Sequence, residues 1–241
     1  MSDQLNEYGQ PVGFPVEGWT PPPLPPRTVL EGRYCRLEPL HPERHAVQLH
    51  DANKLETDGR GWTYMAYGPF ATLTDYRAWV EAQAGRDDPR FYAIIDLTSG
   101  RAGGVASYMR IDPANGCIEV GGIKLTPLVA RKPAMTEAMH LMMKNAFDLG
   151  YRRYEWKCDA LNLPSRAAAQ RFGFSYEGCF QQAVIYKNRN RDTAWFSITD
   201  LEWPAIRAAH EQWLAPENFD ALGRQKSSLS ALTAPLLRAQ S

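Results

Sequence analysis

The sequence predicts a mixed α/β fold, in which a partly parallel central sheet carries helices on both of its faces. Segments with strand patterns interleave along the chain with segments of helical periodicity, and the last two strands form a hairpin. Hydrophobic residues make up 44% of the 241 residues and charged residues 22%, which is typical of a globular chain with a substantial core. We find no internal repeat.

The first 30 residues differ in composition from the rest. Five of the six residues at 21–26 are prolines, and proline fixes φ and removes a donor, so this segment must be extended. We expect residues 1–30 to form an arm that lies over the domain, although a proline-rich ligand for a partner domain is an alternative. The aromatic residues expected to hold the arm are Tyr8, Phe14 and Trp19.

Each element in the first half of the chain is identified by its own pattern. Runs that alternate in polarity or are rich in β-branched and aromatic residues predict strands, and Thr72 or Thr74 caps the second helix. The turn signal at residues 98–101 joins two strands as a hairpin. The predicted order is strand 34–38, helix 42–55, helix 75–84, and strands 91–97, 104–111 and 117–125.

The clearest helix covers residues 134–149, because its apolar residues lie on one face and Gly150 follows at the C-cap position. Gly173 ends the next helix, and Thr199 with Glu202 forms a capping box that starts the last one. The domain therefore covers residues 31–215, and residues 216–241 form a loose tail or a short docking helix. The order continues with strand 153–158, helix 165–172, strands 174–186 and 192–198, and a helix through Trp213.

Composition excludes several classes of function. Lys and Arg number 27, as do Asp and Glu, which argues against nucleic-acid binding through overall positive charge. No apolar run approaches the ~20 residues of a membrane helix. The first seven residues lack the basic start and apolar stretch of a secretory signal. We therefore expect a cytoplasmic protein, a monomer or homodimer, that binds neither nucleic acid nor membrane.

The sequence predicts no metal site. The cysteines are scattered without a Cys-x-x-Cys pair, and we interpret all four as thiols buried in the core: Cys35, Cys117, Cys158 and Cys179. No His-Glu-x-x-His motif is present. Three clustered histidines are interpreted as partly exposed helix residues: His41, His45 and His50.

The junction between residues 117–125 and 134–149 is the best candidate for a ligand site, since dinucleotide-binding and P-loop motifs are absent. Arg131 and Lys132 precede Pro133, which suits a first helical turn. These cations, the helix dipole and free N–H groups would hold a pyrophosphate, whereas the alternative is an ordinary solvated helix start. The N–H groups expected to lack helical partners belong to Ala134, Met135 and Thr136.

Further along, a strand leads into Asn162-Leu163-Pro164-Ser165, a short helix and Gly173-Phe174. This series resembles the second acetyl-CoA motif of the GNAT superfamily of N-acetyltransferases. Thr136-Glu137-Ala138 followed by Ala146-Phe147 resembles the ribosomal-protein N-acetyltransferases of the RimJ/RimL type. The resemblance covers residues 33–198 and implies a GNAT acyltransferase fold with acetyl-CoA as the acyl donor.

The resemblance also implies roles for individual residues. The basic loop and helix start would bind the CoA pyrophosphate, and the end of the preceding strand would pair its backbone with the pantetheine arm. Asn162 would hydrogen-bond the arm from the opposite side, near Ser165. The implied cofactor-binding residues are Lys124, Leu125, Arg131, Lys132, Ala134, Met135, Thr136, Asn162 and Ser165.

A pantetheine arm held in this way needs two strands that splay apart. Gly121-Gly122 is a natural site for the bulge that would separate them. Two features depart from the family pattern. The loop at residues 130–135 contains no glycine, and Ala169 stands where many members carry a tyrosine general acid.

Glu119 is the predicted general base. It lies in the central strand where related histone acetyltransferases carry a base glutamate, and burial would raise its pKa toward a useful value. The alternative is a structural acid paired with an arginine.

The acceptor pocket is predicted in the aromatic, turn-rich segment 61–70, although a loop that caps the core is an alternative. The pocket residues are Trp62, Tyr64 and Tyr67. We expect direct acetyl transfer in a ternary complex to a small amine or a protein N-terminal amine. The alternative function is a non-catalytic acyl-CoA sensor or scaffold.

Overall fold

Strands and helices alternate in the computed structural model, which describes residues 4–239. The strands are β1 (Gln4–Leu5), β2 (Pro11–Val12), β3 (Leu30–Glu31), β4 (Cys35–Pro39), β5 (Arg90–Asp96), β6 (Arg101–Asp112), β7 (Cys117–Leu125), β8 (Arg153–Asp159), β9 (Ser175–Tyr186) and β10 (Arg189–Thr199). The helices are α1 (Pro42–Asn53), α2 (Leu73–Ala84), α3 (Pro133–Asp148), α4 (Leu163–Arg171), α5 (Trp203–Leu214) and α6 (Leu229–Thr233).

Eight of these strands form the central sheet, in the order β3-β4-β5-β6-β7-β8-β10-β9. Neighbours pair antiparallel except β7 and β8, which are parallel and are connected through α3. Helices α1 and α2 pack on β5 and β6 and share one hydrophobic core with them. Helices α3 and α5 pack against each other in the second, larger core. The predicted mixed sheet with helices on both faces is confirmed, and most of its pairs are antiparallel.

The local signals place most helix starts correctly. Thr72 caps α2 by accepting a hydrogen bond from the N–H of Asp75 at 3.1 Å. The helix after β10 is the exception, because α5 begins at Trp203 and not after Thr199. Glu202 turns back and accepts from the N–H and the hydroxyl of Thr199, at 2.8 and 2.7 Å, which holds this segment in a turn.

The proline-rich arm lies over the domain. The hydroxyl of Tyr151 donates to the carbonyl of Pro23 at 3.2 Å, and that of Tyr92 donates to Pro26 at 2.9 Å. Trp19 is fixed by a 3.1 Å hydrogen bond from its indole to a backbone carbonyl. Tyr8 is 77% exposed, so the expectation that it holds the arm is wrong.

The segment after α5 docks on the domain. Leu229 of α6 is fully buried in the main core, and the hydroxyl of Thr233 donates to the carbonyl of Arg171. The backbone N–H of Arg238 donates to the hydroxyl of Ser175 at 2.9 Å. Of the two possibilities for this segment, the structure shows the docking helix.

Two expectations about single residue types are corrected. Cys179 is exposed and Cys117 is only half-buried, because β9 is the edge strand and Cys117 begins β7. His45 and His50 are buried, not partly exposed: the ring of His45 lies 3.1 Å from Glu38 of β4, and that of His50 lies beside Tyr76 of α2. Within residues 4–239 no group of three His, Cys, Asp or Glu side chains is arranged to hold a metal ion. Over the same residues, no helix combines the length and apolar character needed to cross a bilayer.

Candidate active site

A cleft opens where the two parallel strands separate. β7 and β8 are paired only from Cys117 to Val120 and from Arg153 to Trp156. Beyond these residues the strands diverge, and the edges of residues 121–125 and 157–159 face each other without pairing. We call these two edges the lips of the cleft. An extended ligand can hydrogen-bond to such free edges as an added strand.

The divergence begins at a bulge in β7. The pairing of β6 with β7 shifts register between Gly121 and Lys124, and Gly122 adopts a φ of +60°. A Cβ on Gly122 would lie 2.8 Å from the ring of Phe91, so both its conformation and its surroundings require glycine. The extra residue also changes which face the following side chains occupy. The predicted bulge at Gly121-Gly122 is confirmed.

The start of α3 lies at the end of the β7 lip. Lys132 is the N-cap residue with Pro133 at the first helical position, and the side chains of Arg131 and Lys132 are exposed. Arg131 has a φ of +61°, so it takes the left-handed conformation that residues other than glycine rarely adopt. The N–H of Met135 is not free, because it donates to the carbonyl of Lys132 at 3.2 Å.

The side chain of Thr136 is buried beside this helix start. Its hydroxyl accepts a hydrogen bond from Arg171 at 3.0 Å. The guanidinium of Arg171 also lies 5.2 Å from the ring centroids of Phe172 and Trp213. Burial lowers the pKa of Arg171. The structure thus brings a third cation close to the predicted pyrophosphate site, which the sequence pattern did not reveal.

Asn162 and Ser165 follow the β8 lip. Asn162 caps α4, and its side-chain oxygen accepts from the N–H of Ser165 at 3.2 Å. The hydroxyl of Ser165 accepts from the indole of Trp156 at 3.1 Å. Position 169 of α4 is an alanine and is fully buried, so no phenol reaches the cleft from there.

The side chain of Glu119 projects from β7 on the face of the sheet that carries α1 and α2, and it is 3% exposed. Arg110 donates to one of its oxygens at 2.7 Å, and Lys157 lies 3.0 Å from the other. Lys157 also lies 2.8 Å from Glu155 and 3.7 Å from the ring centroid of Trp195. Burial raises the pKa of Glu119, and the opposing effects of Arg110 and Lys157 do not cancel it.

The loop between α1 and α2, residues 54–72, is bonded to the β7 lip and to the segment that follows the β8 lip. The hydroxyl of Tyr67 donates to the carbonyl of Gly122 in the β7 bulge at 3.0 Å. The hydroxyl of Tyr64 donates to the carbonyl of Leu161, just after β8, at 3.2 Å. Burial raises the pKa of Tyr67, which keeps this hydroxyl protonated as a donor.

Trp62 is 6% exposed and packs in the core beneath α1 and α2, as a capping loop requires. Its backbone carbonyl accepts from Lys187 of the β9–β10 turn at 2.7 Å. The ammonium of Lys124 lies 4.6 Å from the Trp62 ring centroid and is paired with Glu56. Lys124 thus directs its backbone along the cleft and its side chain toward the α1–α2 loop.

The structure therefore brings together the helix start, the two lips and the aromatic loop around one cleft, with Glu119 in the strand beneath. Sequence analysis missed Arg110, Lys157 and Glu56. The alternation Arg153-x-Glu155-x-Lys157 places three charges on one face of a strand and is a usable signal for Lys157. Glu56 lies in a loop and has no such signal.

The chain matches the model of the acetyltransferase (GNAT) domain over residues 35–175. Its structure is similar to that of a GCN5-related N-acetyltransferase from Brucella melitensis, with 50% identity and a TM-score of 0.89, covering 91% of this chain and 100% of that one. A GNAT-family protein from Chromobacterium violaceum ATCC 12472 is 37% identical with a TM-score of 0.75, covering 81% of this chain and 98% of that one.

The fold is shared with RimL, a ribosomal L7/L12 α-N-protein acetyltransferase, at 21% identity and a TM-score of 0.61, covering 71% of this chain and 94% of that one. No curated protein matches the chain in sequence. The extent of the family match and the 50% identity to a GCN5-related enzyme decide the assignment. The chain belongs to the GNAT family and is an acetyl-CoA-dependent N-acetyltransferase.

Proposed function

We propose that the enzyme moves the acetyl group of acetyl-CoA directly to a primary amine while both are bound. The observation that carries this proposal is the separation of β7 and β8 beside the start of α3. The cleft offers free strand edges to the pantetheine arm, and the helix start offers positive potential to the pyrophosphate.

The cofactor is held along the β7 lip, with the backbone of Lys124 and Leu125 toward the pantetheine arm. Arg131, Lys132 and the first turn of α3 hold the diphosphate, and the exposure of both cations supports this role. Asn162 and Ser165 border the arm from the β8 side.

Glu119 takes the proton that the attacking amine must lose, directly or through a water molecule. The amine nitrogen bonds to the thioester carbonyl carbon, the C–S bond breaks, and the thiolate leaves with a proton from solvent. Burial raises the pKa of Cys117 and of Cys158, which weakens both as nucleophiles and supports direct transfer.

The acceptor is a small amine or a protein N-terminal amine that approaches beneath the loop carrying Trp62, Tyr64 and Tyr67. The protein N-terminal amine follows from the RimJ/RimL resemblance. The equal numbers of basic and acidic residues support an acceptor other than nucleic acid. A cytoplasmic location and a monomeric or homodimeric state complete the proposal.

Mass spectrometry of a metabolite and peptide extract incubated with enzyme and acetyl-CoA tests the proposal. We expect new N-acetylated amines, and we expect Arg131→Ala with Lys132→Ala to raise the KM for acetyl-CoA about tenfold. Lys144→Ala, near the other end of α3, is the control and should leave this KM unchanged.

Saturable acetyl-CoA binding without acetylation of any amine in the extract would contradict the proposed transfer. The alternative of a non-catalytic acyl-CoA sensor is not supported, because the chain belongs to a family of acetyltransferases.

A further inference from the structure

A second cavity lies beneath the α1–α2 loop, outside the cofactor cleft. It has a volume of about 190 Å³, is partly open to solvent, and is lined by the end of α1, the loop and the start of α2. This is roughly six times the volume that a water molecule occupies in the liquid, so the cavity admits a small organic group.

Three aromatic rings form its walls. Trp62 and Phe70 meet edge to face with centroids 5.8 Å apart, and Phe70 meets Tyr76 at 5.3 Å. Trp62 and Tyr76 are buried. Aromatic faces that surround one space attract a cation and also accept aliphatic carbon.

Two buried polar atoms in the lining have no hydrogen-bond partner. These are Oε2 of Glu56 and Nδ1 of His50, whose side chain is 6% exposed. Unpaired buried polar atoms of this kind are rare in folded proteins, and a single bound donor group would satisfy both. Burial, followed by the nearby Lys54, lowers the pKa of His50, so its ring is neutral and accepts one hydrogen bond.

The two unpartnered acceptor atoms favour a cationic donor over an anion. The charged groups of the lining are already paired, Asp58 with Arg60 at 2.8 Å, Lys54 with Asp51 at 3.2 Å and one oxygen of Glu56 with Lys124. Within residues 4–239 no group of three His, Cys, Asp or Glu side chains is arranged for a metal ion. An organic cation is therefore the better match.

We propose that this cavity binds an alkylammonium group, with its N–H donors on Glu56 and His50 and its carbon chain against Trp62, Phe70 and Tyr76. Glu56 also pairs with Lys124 of the β7 lip, and Trp62 lies under that ammonium, so the cavity adjoins the acceptor side of the cleft. The proposed occupant is the non-reacting ammonium end of a diamine acceptor, so this assignment rests on the proposed function.

Isothermal titration calorimetry without acetyl-CoA tests the site, with n-butylammonium chloride and 1-butanol as probes. We expect saturable binding of the ammonium at least about tenfold tighter than that of the alcohol. Glu56→Gln and Phe70→Leu should each weaken ammonium binding about tenfold. The matched controls, Glu43→Gln on the exposed side of α1 and Phe180→Leu on β9, should not.

Equal affinity for the two probes, or ammonium binding that survives both Glu56→Gln and Phe70→Leu, overturns the assignment. Thermal melts establish that each variant is folded, and Phe70→Leu decides the matter where Glu56→Gln does not fold. In active enzyme, at least one α,ω-diamine should show a KM about tenfold below that of n-butylamine. Amine acetylation without ammonium binding refutes the cavity alone, and binding without acetylation refutes the proposed function alone.

Discussion

Glu119 is subject to opposing influences that only the folded chain creates. Burial favours its neutral form, and the adjacent Arg110 and Lys157 favour its charged form. Its pKa is raised, so the desolvation penalty prevails. The ion pair with Arg110 is the one that a structural role would require. The proposed catalytic role adds a pH dependence that a structural role alone does not predict.

Because a base acts only when deprotonated, the raised pKa of Glu119 places the acidic limb of the kcat/KM profile above the usual value for glutamate. Glu119→Gln should lower kcat by about 10²–10⁴-fold and remove this limb. Lys157→Met removes a neighbouring positive charge, so it should move the limb to still higher pH. Steady-state kinetics across the pH range measures both effects.

Lys144→Met, which removes an exposed lysine of α3, serves as the control for Lys157→Met. A profile with the same acidic limb in wild type and in Lys157→Met would argue that a group other than Glu119 titrates in the reaction.

The β7 bulge shows how one element creates the cleft. Glu119 and Lys124 face the α1–α2 side, whereas Ile118 and Ile123 face the core beneath α3. In a regular strand, Glu119 and Lys124 would point to opposite faces, since they are five positions apart. They share a face because β7 holds one extra residue between them, and Gly122 accommodates it at a left-handed φ. The same residue presents its carbonyl to Tyr67, so the bulge also fixes one side of the loop.

Gly122→Ala should destabilise the protein by about 2–5 kcal/mol and weaken acetyl-CoA binding. The left-handed conformation costs about 1–2 kcal/mol, and the contact with Phe91 costs a further 1–3 kcal/mol. Urea unfolding and calorimetric titration of acetyl-CoA measure the two effects.

Gly100→Ala is the matched control, since Gly100 has a φ of +68° and open space around its Cβ position. It should cost only about 1–2 kcal/mol and leave acetyl-CoA binding unchanged. If both variants behave alike, the close approach of Phe91 does not shape the cleft.

The ends of the chain complete the molecule as a whole. The arm lies across Tyr92 and Tyr151, and α6 places Leu229 in the core shared by the sheet, α3 and α5. The segment after α5 therefore contributes to the stability of the fold.

Leu229→Ala should lower the free energy of unfolding by about 3 kcal/mol, because it leaves a cavity in a fully buried site. Urea denaturation measures this change. Leu222→Ala is the control, since Leu222 is 77% exposed and its substitution should cost less than about 0.5 kcal/mol. Equal effects of the two substitutions would show that α6 is only loosely docked.

The sequence by itself determined the order of elements from β4 to α5, the helix start at Pro133 and the bulge at Gly121-Gly122. These depend on local chemistry, because proline, glycine and capping residues restrict the backbone wherever they occur. The motif around Asn162 and Ser165 was equally local, so the family could be inferred before the fold was known.

Tertiary structure alone decided which side chains meet. Lys157 reaches Glu119 from a strand 38 positions along the chain, and Lys124, near the end of β7, reaches Glu56 in the α1–α2 loop. Burial and ion pairing depend on neighbours that are distant in sequence, and a local pattern does not contain them.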